Sequence, residues 1–94
     1  MPADGYVRVD IGALPNNTTK STPANIPAMA TEYWIADAWC RHRSTGQVNP
    51  MPHVDPVTWN NSIGITISSG KNVVVTTRAD WTTYDGHVVI AYKL

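Results

Sequence analysis

Apolar residues recur at every second position along much of this chain, and no long helical periodicity is present. The clearest case is the last third, Ser62 to Leu94. Ile63, Ile65 and Ile67 alternate with small or polar neighbours, which predicts a strand. A turn at Ser68-Ser69-Gly70-Lys71-Asn72 and a second apolar strand, Val73 to Thr77, follow. A loop from Ala79 to Asp85 carries Trp81 and Tyr84, and Gly86 to Lys93 predicts the last strand.

Earlier in the chain, Gly5 to Leu14 also alternates. Val7, Val9 and Ile11 face one way, and Tyr6, Arg8 and Asp10 the other, the mark of a half-buried strand. Leu14 to Lys20 predicts a turn-rich loop, since Pro15 fixes φ and the Asn pair tolerates left-handed backbone. Ser21 to Ala30 holds Pro23 and Pro27 and is expected to be extended or irregular, with Ile26 docking into the core. Glu32 to His42 suits a short helix or a strand. Strand agrees better with its neighbours. Strict alternation then puts Trp34, Ala36, Ala38 and Cys40 on one face, and Tyr33, Ile35, Asp37, Trp39 and Arg41 on the other. Ser44-Thr45-Gly46 is a turn. Pro50 and Pro52 restrict Val48 to Val54 to an edge strand or loop. Asp55 to Asn61, with Trp59, is a further loop.

The sum is an all-β chain of five to seven strands, a small antiparallel, jelly-roll-like β-sandwich. Residues 1–4 are expected to be a start or linker remnant and 5–94 a single domain. Ile63, Ile65, Ile67, Val73, Val75, Val88 and Ile90 are the predicted core.

Composition sharpens this picture in two ways. Only 15% of the 94 residues are charged, against about 25% in typical globular domains. Such a surface is either covered by a partner or kept wet by Thr, Asn and Ser. Formal net charge is zero, with seven basic and seven acidic residues. That leaves no basic stripe to neutralise phosphates, so nucleic acid is not an expected partner. No apolar run approaches the ~20 residues of a membrane-spanning helix, so no membrane insertion is expected. Cys40 is the only cysteine, and Phe is absent while Trp and Tyr occur four times each. The aromatic mass therefore carries polar handles, as at interfaces and sugar sites.

Little in the sequence points to catalysis or cofactors. His42, His53 and His87 lack metal-site spacing, and Cys40 has no CxxC partner. Cys40 beside His42 reads as a buried thiol near a satisfied histidine. Asp80 and Asp85 bracket Trp81 and Tyr84, but both sit where turns favour Asp. If Asp37 is buried it needs a partner, for which Arg41 is placed. No metal, no cofactor and no enzymatic activity are expected. The candidate ligand-binding residues are Trp59, Trp81 and Tyr84 with Asp80 and Asp85, and Asn60 and Asn61 lie nearby. Ring faces stack on sugars while carboxylates and amides bond hydroxyls. The competing reading is that the same rings close the end of the sandwich or meet a neighbouring subunit.

Three blocks carry a resemblance: Asp10-Ile-Gly-Ala-Leu-Pro-Asn-Asn-Thr-Thr-Lys20, Pro50-Met51-Pro52, and Gly70 through Lys93 ending in Val-Ile-Ala-Tyr-Lys. Their order resembles a small C-terminal module of bacteriophage tail fibres, tailspikes and baseplate proteins. In that family a His-Gly follows Thr-Thr-Lys-Ser, where this chain has Thr22-Pro23-Ala24-Asn25. The resemblance implies a β-sandwich, a homotrimer about a fibre axis, a place in the virion tail, and recognition of a host-surface polysaccharide or other receptor. Fibre trimerisation, or a monomeric carbohydrate-binding module, are the alternatives. A 94-residue fibre would be short, so a fragment of a longer protein is expected.

Overall fold

A computed structural model describes residues 3–53, 57–58 and 61–94. Seven strands and no α-helix are found among them: β1 (Gly5–Ala13), β2 (Thr19–Pro23), β3 (Glu32–His42), β4 (Val48–Pro50), β5 (Ile63–Ile67), β6 (Asn72–Thr77) and β7 (Tyr84–Lys93). They form two antiparallel sheets, ordered β1-β7-β3-β4 and β2-β6-β5. The chain changes sheet after β1, β2, β4 and β6, while β3-β4 and β5-β6 are hairpins within one sheet. The result is a small β-sandwich of seven strands, one fewer than a full jelly roll.

Alternation drives the packing. On β6, Val73, Val75 and Thr77 point inward and are buried; on β7, Gly86, Val88 and Ile90 do the same. Val9, Ile11, Leu14, Ala38, Cys40 and Ile63 complete the centre of the core. Of the predicted core, Ile63, Val73, Val75, Val88 and Ile90 are fully buried. Ile65 and Ile67 are only half-buried, packed on its margin. The predicted core omitted Ile11, Leu14 and Met51, which also line it.

Four sequence expectations change. Alternation along β3 does not run through, because Ile35 pairs with Ile90 and Asp37 with Val89, leaving Ala36 as the extra residue of a bulge. Tyr33 and Ile35 therefore share the inner face with Ala38 and Cys40, while Trp34, Asp37 and Trp39 share the outer one. Asp37 is exposed, and its Oδ1 accepts the Ala38 N–H at 2.9 Å instead of pairing with Arg41. Thr19 and Lys20, expected in the turn-rich loop, instead open a strand that runs to Pro23, into the segment expected to be extended or irregular. It pairs with β6 at the edge of the smaller sheet, where Pro23 can stand. Finally, β7 begins at Tyr84, two residues before the expected start.

The resemblance block from Leu14 to Lys20 joins the two sheets. Leu14 is buried, its N–H donating to Tyr84 O at 3.0 Å. Thr77 Oγ1 donates to Pro15 O at 2.7 Å, and the Asn17 N–H to Ala79 O at 3.0 Å. Asn17 takes φ 51°, the left-handed backbone expected of Asn. Lys20 Nζ reaches back to Ala13 O at 2.9 Å. Asp4, expected in the start or linker remnant, extends the β1 pairing by donating its N–H to Tyr92 O at 2.9 Å.

Candidate functional site

The pairing registers put the ends of β1, β3 and β6 and the starts of β2, β5 and β7 at one end of the sandwich. A cleft of about 290 Å³ opens there. Trp81 and Tyr84 line it from the β6-β7 loop and the first residue of β7. Gln47, Asn49, His53, Asn61 and Asp80 line the rest. Such a volume is at the small end of ligand pockets.

Each lining group has a local cause. Tyr84 starts β7 by donating its N–H to Trp81 O at 3.0 Å. Trp81 is 8% exposed and belongs to the core cluster. Its ring lies 4.9 Å from Tyr84 and 5.6 Å from His53, and His42 meets Tyr84 edge-on at 4.9 Å. These four rings form a continuous row, of which His53, Trp81 and Tyr84 belong to residues lining the cleft. The indole of Trp81 folds inward from the β6-β7 loop and closes this end of the sandwich, one of the two readings open for it in the sequence. Trp81 Nε1 is buried and has no hydrogen-bond partner, which is uncommon for an indole N–H.

Asp80 holds its own turn. Oδ1 accepts the Thr82 N–H at 3.0 Å and the Thr82 hydroxyl at 2.6 Å. These hydrogen bonds keep its carboxyl below the usual range. Asn49 is on the inner face of β4 opposite Cys40. His53 is anchored by a bridge to Ile63, with N–H···O distances of 3.1 and 2.8 Å.

Of the five sequence candidates, Trp81, Tyr84 and Asp80 come together. Asp85 stands outside the cleft, its Oδ1 3.2 Å from Arg43 Nε. Arg43 also donates to Thr82 O, clamping the β3-β4 turn to the β6-β7 loop. Trp59 lies outside the described residues, as does Asn60. Gln47, Asn49 and His53 were not singled out in the sequence. Their signal was weak, since they flank two prolines in a segment legible only as an edge.

The remaining candidates have structural employment. His42 Nδ1 accepts the N–H groups of Ser44 and Thr45, both at 3.1 Å, so the ring organises the turn. Burial pushes the Cys40 thiol up, partly offset by a backbone hydrogen bond at Asn49. Among the described residues no group of three or more His, Cys, Asp or Glu could hold a metal ion.

The cleft is lined by two aromatic residues, three amide residues, His53 and a single acidic residue, Asp80. That chemistry suits a neutral, hydroxyl-rich ligand better than an anion. Comparison with protein-family models, with curated proteins and with solved structures finds no match to this chain.

Proposed function

We propose that the chain is a trimeric tip module of a bacteriophage tail fibre or tailspike that binds a host-surface glycan in the loop-end cleft. The cleft carries the reading: Trp81 and Tyr84 line it beside Gln47, Asn49, Asn61 and Asp80, a set able to pair with sugar hydroxyls. The three blocks resembling phage fibre modules supply its setting. The start of β1 and the end of β7 lie opposite the cleft, so a shaft joined before β1 leaves the cleft at the far tip. Affinity per site can be weak, because three linked copies raise the effective concentration without new contacts.

The test is a glycan array probed with the fluorescently labelled chain, followed by titration of the best glycan against Asn49→Ala and Trp81→Phe. The reading expects a neutral glycan to bind and Asn49→Ala to weaken it about tenfold, the loss of one hydrogen bond to a neutral group. Binding that ignores both substitutions overturns the cleft assignment. Absence of binding to any glycan favours the second reading, a fibre assembly domain. The exposed aromatic side chains on one sheet speak for that reading.

A further inference from the structure

The two sheets differ on their outer faces. On the smaller sheet the outward positions include Thr19, Ser21, Thr66 and Thr76, a surface that water covers well. On the larger sheet, pairing sets the outward residues in level rows across β1, β7 and β3. Tyr6, Ala91 and Trp34 form one row; Arg8, Val89 and Asp37 the next; Asp10, His87 and Trp39 the third, extended by Pro50 of β4. Tyr6 is 66% exposed, Trp34 37% and Val48 57%. The β7 stretch Val88-Val89-Ile90-Ala91 is apolar on both faces, the pattern of a strand covered on both sides.

We propose that the outer face of the four-stranded sheet is the contact between copies of this chain, with the β1 half of one copy seated on the β3 half of the next. This deepens the trimer reading and rests on it. Two observations select a second copy as occupant. First, no Ser, Thr, Asn or Gln stands in these rows, so the face lacks the neutral hydrogen-bonding groups that line the cleft. Its Trp, Tyr and Arg are the residues that dominate protein contacts. Second, the face complements itself. A symmetry axis parallel to β7 keeps the rows level, so Arg8 of one copy meets Asp37 of the next, and Tyr6 meets Trp34. The Arg8 guanidinium lies over Trp39, 5.8 Å from the ring, and already pairs with Asp10 of its own copy, Nε 3.0 Å from Oδ1. Asp37 has no ion pair among the described residues.

The experiment is sedimentation and light scattering of wild type, Trp34→Glu, Arg8→Asp, Asp37→Arg and the double swap Arg8→Asp/Asp37→Arg, over a concentration series. Circular dichroism checks that each variant folds. The proposal expects Trp34→Glu to raise the association midpoint roughly thirtyfold, as at a contact hot spot. It expects each single charge reversal to weaken association and the double swap to restore it. A three-chain assembly indifferent to every variant keeps the trimer and overturns this face. A two-chain assembly with the expected responses keeps the face and overturns the three-fold. A double swap as weak as its parents overturns the level-row pairing. A single-chain mass for wild type overturns both. Loss of glycan binding in Trp34→Glu with the mass unchanged makes the face a sugar platform and overturns the proposal.

Discussion

At the scale of single residues, three side chains set sharp expectations. Cys40 faces the interior, and burial favours its neutral thiol. Native protein should leave a thiol reagent unreacted, with modification appearing only as denaturant unfolds it. Rapid native labelling would contradict the burial. Asp80 titrates below its ordinary 3.8 because Thr82 donates twice to its carboxylate. What the charged form adds to the loop is therefore present above 3.8 and is lost as pH falls through the lowered value. NMR of the Thr82 amide should show a midpoint below 3.8 in wild type, and no such step in Asp80→Asn. Gly86 is needed for space: a Cβ there would stand 2.7 Å from Leu14 Cδ2 and 3.3 Å from Ile11 Cβ. Gly86→Ala should cost about 1–3 kcal/mol in urea unfolding, the range for overpacking a filled core.

At the scale of elements, legibility followed local pattern. The strands β1, β5, β6 and β7 were visible because β-branched residues alternate between clear turns. The strand β2 was not, because Thr19-Lys20-Ser21-Thr22-Pro23 has no apolar periodicity of its own and is ordered by pairing with β6. The β3 faces were misassigned because a bulge leaves no trace in composition; one extra residue reverses the face of everything beyond it. Half of the cleft was legible, since aromatics beside Asp in a turn stand out. Gln47, Asn49 and His53 were not, since nothing local says that the β4 segment reaches the cleft lined by the β6-β7 loop. Burial along β5 orders its isoleucines. Ile63→Ala should cost about 2–5 kcal/mol, and Ile65→Ala clearly less, because Ile65 is only half-buried. Equal costs would contradict the placement of β5.

At the scale of the molecule, the fold separates two kinds of surface. Loops from both sheets gather the polar cleft at one end, and the broad face of the larger sheet collects the exposed aromatics. On the proposed reading, low charge and absent phenylalanine have a reason, since covered and ligand-facing surfaces would both use Trp and Tyr. The trimeric fibre-tip reading joins the two: the aromatic face holds the copies together, and the cleft of each faces outward. Light scattering of the wild-type chain on a sizing column at low micromolar concentration tests this most directly. The account predicts a mass of three chains of 10.3 kDa each. A mass of one chain, unchanged as concentration rises, would contradict it.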